Sequence, residues 1–224
     1  MEIGVLTYTA AHRKTYDTLC FLKAKGYEDV EVYGVPFHYT KSFQPLYSHR
    51  PEPMASCPGI EELCRAFGYR FYSGGGYAEF DIKEGRILLL CGAGILPGNF
   101  IHRYRIINSH PGYLPYSRGL DALKWAIVDG FPIGVTTHFL GQETDGGEIL
   151  ERRIVPVRYA DTFHAVAQRV YETEIEMLVG ALEKTNEIHE FVDGSSYPVH
   201  RRMPHYVEIR LMERFEELRR MAAY

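Results

Sequence analysis

Three side chains between positions 108 and 145 could together assist the attack of an amine on an acyl group. Asn108 and His110 follow a short apolar run, and Asp145 lies further along the chain among turn residues. An amide can stabilise an oxyanion, an imidazole can accept a proton near neutral pH, and a carboxylate can orient that imidazole. The spacing alone leaves an alternative open, in which Asn108 ends a strand, His110 is a hydrogen-bonded loop residue and Asp145 is an ordinary turn residue.

The flanking sequence predicts how these side chains are positioned. Residues 105–107 are typical of a strand, and the prolines that follow exclude a helix, so the strand should end near Asn108. Side chains two residues apart on an extended chain point the same way, and strand ends line the crevice of open α/β sheets. A second strand, predicted over 132–140, precedes the loop that carries Asp145. The three groups could therefore converge.

The order of the predicted elements is that of an α/β protein. A continuous apolar strand over 3–8, a helix over 12–25 and a strand over 30–35 form a β-α-β unit. The most hydrophobic strand, 87–91, is expected at the centre of the sheet. These patterns predict an open, mostly parallel, Rossmann-like sheet with helices on both faces.

Later segments predict the surroundings of that sheet. The stretch 36–58 has no clear period and is expected to form a long irregular loop near the crevice. Asp121 is expected to cap a helix over 122–129, and Asp161 to cap a long amphipathic helix after it. We divide the chain into a catalytic domain, residues 1–190, and a C-terminal loop and helix, residues 191–224. That C-terminal part is expected to pack on the domain or on a second subunit, which is compatible with a homodimer.

The composition and charge of the chain exclude several classes of protein. The 224 residues carry a net charge of −4 with a pI near 6.2, which disfavours a nucleic-acid partner. The four cysteines have neither metal-type spacing nor a CxxC pair, as expected for reduced thiols of a cytoplasmic protein. No apolar run approaches the roughly 20 residues of a membrane span. We therefore expect a cytoplasmic protein that needs no metal and binds no membrane.

The motifs together resemble the folate-dependent formyltransferase family over about residues 86 to 183. The resemblance is carried by Asn108 to Pro115, then Gly119, then His138-Phe139, and finally Asp145-Gly146-Gly147. It implies the formyltransferase fold, N10-formyltetrahydrofolate as the formyl donor, and catalytic roles for three residues. His110 would be the base, Asn108 the oxyanion donor and Asp145 the group that orients the base. The resemblance also implies folate contacts from two loops, namely Gly94, Ile95, Leu96, Leu140, Gly141, Gln142, Glu143 and Thr144.

Two departures from the family guide the choice of acceptor. The first turn, Tyr8 to Lys14, lacks the glycines that hold a phosphate in glycinamide ribonucleotide transformylase, although Arg13 and Lys14 could attract one or form a solvated helix face. Gly112-Tyr113 stands where many members carry Ser-Leu. The tail also does not resemble the long second domain of methionyl-tRNA formyltransferase. We therefore expect a small-molecule acceptor, a nucleotide-linked amino sugar, with glycinamide ribonucleotide transformylase or formyltetrahydrofolate hydrolase as the alternatives.

Overall fold

A computed structural model describes most of the chain, namely residues 1–37, 43–52, 56–94, 96–141, 145, 147–187, 190–193 and 196–222. The strands in these ranges are β1 (Ile3–Tyr8), β2 (Val30–Val35), β3 (Arg70–Ser73), β4 (Ile87–Leu90), β5 (Ile106–His110), β6 (Arg118–Gly119), β7 (Gly134–Phe139), β8 (Gly147–Ile154), β9 (Glu190–Val192) and β10 (Val199–His200). The helices are α1 (Arg13–Ala24), α2 (Ile60–Phe67), α3 (Gly98–Arg103), α4 (Ala122–Asp129), α5 (Phe163–Gly180), α6 (His205–Glu208) and α7 (Leu211–Met221). Short 3₁₀ helices cover Tyr77–Glu79 and Ala181–Lys184.

In the described ranges, eight strands form one sheet in the order β3-β2-β1-β4-β5-β7-β8-β9. The first five are parallel, and the last three add antiparallel to β5 and to one another. β4 lies in the middle, where its hydrophobic sequence is covered on both sides. The predicted mostly parallel α/β sheet is confirmed.

Neighbouring residues of the central strands face opposite layers, as the two-residue period of a strand requires. Leu89 and Ile107 are fully buried in the cluster that contains residues of α1, α2 and α5. Leu88 and Ile106 belong to a different cluster, which contains Phe100 of α3. Helices therefore cover both faces of the sheet, as predicted.

The C-terminal segment packs back on the same body of the protein. Leu211 and Phe215 of α7 are buried in a third cluster, with residues of α4 and α5. Ahead of these helices, β10 pairs with β6 in a small parallel ladder, in which His200 lies opposite Gly119. The tail therefore reaches the region that follows β5. Within the described ranges, no helix has the length and apolarity needed to cross a membrane.

Two predicted helix caps are wrong. Thr162, not Asp161, caps α5, and its hydroxyl accepts a hydrogen bond from the amide of Ala165. Asp161 instead forms an ion pair with Arg169 at 2.8 Å. Asp121 precedes α4 in a left-handed conformation (φ 55°), and its side chain makes no capping hydrogen bond. A carboxylate has stronger partners than a helix amide when an arginine or another segment lies within reach.

The end of β5 also differs from the prediction. The strand does not stop near Asn108 but continues to His110, since Ser109 and His110 pair with Thr137 and Thr136 of β7. The antiparallel neighbour extends the ladder past the point at which the parallel neighbour β4 ends. Consequently, Asn108 and His110 lie on a rigid strand.

Candidate active site

His110 lies between two oxygen atoms. Its Nε2 is 2.7 Å from the carbonyl oxygen of Ser117, and its Nδ1 is 3.4 Å from Oδ1 of Asp145. A carbonyl can only accept a hydrogen bond, so Nε2 carries the proton of the neutral ring and Nδ1 is left with the free lone pair. The second oxygen of Asp145 accepts a hydrogen bond of 2.7 Å from the amide of Gly119. The carbonyl oxygen of Ser117 therefore fixes His110, and the amide of Gly119 fixes Asp145.

Asn108 completes the group of three predicted residues. Its Nδ2 lies 3.3 Å from Nε2 of His138, which is opposite it on β7. His138 is fully buried, and its contact with Asn108 links it to the site. Asn108, His110 and Asp145 line the same cavity, of about 560 Å³. The structure thus brings the three residues together, as the resemblance implied.

Gly112 lies directly against the hydrogen bond between His110 and Ser117. A Cβ atom at this position would lie 2.4 Å from the carbonyl oxygen of Ser117 and 2.6 Å from Nε2 of His110. Both distances are far below van der Waals contact. With this backbone, a larger residue at position 112 would displace the hydrogen bond that orients His110.

A buried carboxylate forms the opposite wall of the cavity. Glu174 of α5 has a side chain 1% exposed, lies 2.8 Å from Nζ of Lys14, and also pairs with Arg50. Burial alone would raise the pKa of Glu174, but Arg50 and Lys14 together lower that pKa to about 2. Lys14 also donates to the carbonyl oxygen of Ser109 at 3.2 Å, which ties α1 to β5.

Two further histidines of the cavity are held neutral. Burial, aided by nearby Lys14 and Arg50, lowers the pKa of His12 to about 4. Burial and the neighbouring cations lower the pKa of His49 to about 3. Both imidazoles therefore offer uncharged hydrogen-bonding groups at neutral pH.

The predicted folate contacts are only partly described. Leu96 is buried in a cluster against which Leu140 also packs, so both predicted loops contribute to the same hydrophobic cluster. Gly94 is exposed, and a Cβ at its position would meet nothing within 4 Å. Leu140 and Gly141 also line a second cavity, of about 340 Å³. The remaining members, Ile95, Gln142, Glu143 and Thr144, and Gly146 of the motif, lie outside the described residues.

Sequence reasoning did not identify most of the charged side chains that line the cavity. Arg13 and Lys14, for which a phosphate contact and a solvated helix face were both left open, differ in the structure: Arg13 pairs with Asp17 at 2.8 Å outside the cavity, whereas Lys14 lines the cavity. Glu174 could have been found, because it lies four residues from both Val170 and Leu178 and so shares their buried face. Arg50 and Arg202 come from irregular segments with no such period. Within the described ranges, no group of side chains is arranged to hold a metal ion.

Residues 87–182 match the family model described as formyl transferase. The trifunctional purine biosynthetic protein adenosine-3 of Gallus gallus is 36% identical over 121 residues, which are 49% of this chain and 12% of that protein. The dTDP-4-amino-4,6-dideoxyglucose formyltransferase of Mycobacterium tuberculosis is 32% identical over 83 residues, which are 37% of this chain and 36% of that protein. The matches thus span about an eighth to a third of these relatives.

Solved structures show the same fold at low sequence identity. An N-formyltransferase from Helicobacter canadensis, in complex with folinic acid and dTDP-3-aminofucose, has a TM-score of 0.63 at 14% identity, over 96% of this chain and 81% of that chain. A phosphoribosylglycinamide formyltransferase from Anaplasma phagocytophilum has a TM-score of 0.55 at 22% identity, over 82% of this chain and 86% of that chain. The family match contains Asn108, His110, Asp145 and Glu174. It does not contain Lys14, Arg50 or Arg202.

Proposed function

We propose that this chain, whose residues 87–182 match the family model described as formyl transferase, transfers a formyl group from N10-formyltetrahydrofolate to the amine of a nucleotide-linked amino sugar. The observation that carries the proposal is the pair of His110 and Asp145, 3.4 Å apart at the wall of a cavity that Asn108 also lines. This arrangement suits acyl transfer, which needs a base and a donor for the oxyanion.

His110 is proposed to accept the proton of the attacking amine, because an amine is nucleophilic only as its free base. The proton goes to Nδ1, since Nε2 donates to the carbonyl oxygen of Ser117. Asp145 faces Nδ1 and so stabilises the imidazolium that results. Asp145 is itself fixed by the amide of Gly119, so little reorganisation accompanies the transfer.

Asn108 is proposed to bind the formyl oxygen as negative charge develops on it. Its amide group has two N–H donors, and one of them points to Nε2 of His138. The other is free to donate to the oxygen without breaking that contact. Removal of such a donor typically costs about a hundredfold or more in rate.

The surroundings of the three residues fit a flat formyl donor. Leu90, Ala93 and Leu140 are half-buried apolar residues packed on one cluster, and the first two also line the cavity. Apolar walls with few polar groups are typical of sites that bind planar ring systems. N10-formyltetrahydrofolate would supply the formyl group there.

The cations of the cavity favour an acceptor that carries phosphate. Lys14, Arg50 and Arg202 all line it, and the guanidinium groups of the last two remain partly exposed. Arginine is suited to phosphate oxygens because its planar fork donates two hydrogen bonds. A sugar linked to a nucleotide would present its phosphates to these groups and its amine to His110.

One observation favours a second acceptor, glycinamide ribonucleotide. The purine biosynthetic protein of Gallus gallus is more similar to this chain than the dTDP-amino-sugar formyltransferase of Mycobacterium tuberculosis, 36% against 32%. Both acceptors carry phosphate and a primary amine, so the cavity alone does not separate them. The test must therefore contain both.

The experiment is incubation of the protein with N10-formyltetrahydrofolate and single acceptors, followed by mass spectrometry of the product. The acceptors are nucleotide-linked amino sugars with different bases and amine positions, and glycinamide ribonucleotide. A formylated sugar supports the proposal, a formylated ribonucleotide supports the second acceptor, and formate released without acceptor indicates the hydrolase. His110→Ala should remove the product, whereas His164→Ala, at an exposed histidine of α5, should not.

A further inference from the structure

Glu208 is a fully buried acidic residue of the C-terminal segment, outside the residues that carry the proposed chemistry. Its carboxylate pairs with Lys124 of α4, whose side chain is also completely buried. A buried ion pair of this kind is costly to desolvate and is a weak reason for stability by itself. The position of Glu208 therefore calls for another explanation.

The other partners of Glu208 lie in the loop of residues 43–52. Its carboxylate accepts hydrogen bonds from the backbone amides of Leu46 at 2.9 Å and Tyr47 at 3.3 Å. His49 and Arg50, which follow Tyr47 by two and three residues in the same loop, line the cavity. Among the described residues of this loop there is no helix or strand, so its backbone amides depend on partners of this kind.

The tail touches the rim of the cavity at two more places. Asp121 accepts a hydrogen bond from the amide of Met203 at 2.9 Å, and lies 3.9 Å from Nε2 of His49 and 4.0 Å from a guanidinium nitrogen of Arg202. The ladder of β6 and β10 places His200 beside Gly119, whose amide binds Asp145. Val199, His200 and Arg202 of this segment line the cavity.

We propose that Glu208 is a positioning residue, which fixes the loop of residues 43–52 so that Arg50 and His49 face the acceptor. This inference rests on the proposed function, in which Arg50 meets the phosphates of the acceptor. Glu208 does not touch the reacting atoms. Its loss should weaken binding of the acceptor and leave the chemical step largely intact.

A single substitution would not isolate this role, because Glu208→Leu alone leaves Lys124 charged and buried. Two double variants remove the ion pair equally. Lys124→Met with Glu208→Gln retains an oxygen that can accept from Leu46, whereas Lys124→Met with Glu208→Leu does not. The comparison therefore measures the hydrogen bonds to the loop, apart from the charge.

With N10-formyltetrahydrofolate saturating, we expect the Gln variant to have an acceptor KM within about twofold of the natural protein. The Leu variant should raise that KM about tenfold, with kcat changed less than threefold. Equal KM values in the two variants, or a loss confined to kcat, would overturn the proposal. Glu217→Gln, in the exposed ion pair with Arg214 of α7, is the control for a charge lost from the tail.

Hydrogen exchange of the amides of Leu46 and Tyr47 gives a readout that does not depend on activity. Protection should fall in the Leu variant and be largely kept at Leu46 in the Gln variant. If protection changes in this way but the protein transfers formyl to no acceptor, the result would support the anchoring role of Glu208 and refute the proposed function. Unchanged protection in the Leu variant would refute the anchoring role itself. Should neither double variant fold, Glu208→Asp, which shortens the side chain by one methylene, should show the same two effects.

Discussion

Nδ2 of Asn108 lies 3.3 Å from Nε2 of His138, across the antiparallel pair of β5 and β7. Nδ1 of His138 is 3.2 Å from the carbonyl oxygen of Phe139, so Nδ1 carries the ring proton and Nε2 accepts from the amide of Asn108. The buried imidazole thus determines which way the amide points. A fully buried residue of β7 thus also sets the orientation of a proposed catalytic group.

His138→Phe should therefore lower the rate of the chemical step, because the Asn108 amide loses the acceptor that orients it. We expect a fall of about tenfold to a hundredfold in single-turnover rate at saturating donor and acceptor. His138→Gln keeps an acceptor at this position and should recover part of the rate. Equal rates in the natural protein and the Phe variant would show that His138 only packs.

Asp145→Asn should abolish most turnover while preserving the fold. The amide oxygen of asparagine can still accept from Gly119, but its NH₂ group would donate to Nδ1 of His110 and occupy the lone pair that takes the proton. We expect kcat to fall by about a hundredfold or more, with the urea midpoint nearly unchanged. A rate within threefold of the natural protein would exclude proton transfer at Nδ1.

Lys14→Met and Arg13→Met change neighbouring residues but should lower the free energy of unfolding by different amounts. Lys14 pairs with the buried carboxylate of Glu174, so its loss leaves that charge with Arg50 alone and should cost about 2 kcal/mol of unfolding free energy. Arg13 forms a partly exposed pair with Asp17, and its loss should cost less than about 1 kcal/mol. Urea denaturation at pH 7 measures both. Similar costs would show that burial does not distinguish the two pairs.

The buried histidines predict how stability depends on pH. The pKa of His12 is about 4 and that of His49 about 3 in the folded protein, both below the value of about 6.5 in an unfolded chain. Between those values the unfolded state binds more protons, so stability falls as pH decreases from about 6.5 towards 4. The free energies of unfolding measured with urea at pH 7 and pH 5 should differ, and His49→Asn should reduce that difference by about 2 kcal/mol. An unchanged difference would mean that His49 is not held neutral.

Thr162→Ala should destabilise α5 by about 1 kcal/mol, because the hydroxyl of Thr162 caps the helix. Asp161→Asn should cost about 1–2 kcal/mol through loss of the ion pair with Arg169, which lowers the pKa of Asp161 to about 2. The cost of Asp161→Asn should vanish as pH falls from about 4 to 2, whereas that of Thr162→Ala should persist. Thermal unfolding at several pH values separates the two effects.

The elements of the fold could be predicted because each depends on a local pattern. The helix 122–129 and the strands 3–8 and 30–35 agree with the structure to the residue, since their apolar spacing and the glycine that follows the helix are local signals. The caps could not be predicted reliably. The carboxylates of Asp121 and Asp161 bind partners 82 and 8 residues away, and no local pattern reveals the first of these contacts.

Some residues of the candidate site could likewise be predicted from the sequence, and others could not. Asn108, His110 and Asp145 were predicted to meet because a strand end and a turn have recognisable sequences, and the resemblance fixed their spacing. Arg50 and Arg202 were not found, because they come from segments without periodicity that only the tertiary structure brings together. Charged side chains that come together from such segments leave no recognisable pattern in a single sequence.

The contact of Glu208 with the backbone of Leu46 and Tyr47 also bears on how new acceptor preferences could arise. A chimera that receives only the loop 43–52 from a relative would meet a foreign anchor, and one that receives only the tail would leave the loop without its partner. Productive recombination would exchange both stretches at once. Across relatives, insertions in the loop should therefore be inherited together with changes in the tail, while the strands of the sheet between them stay fixed.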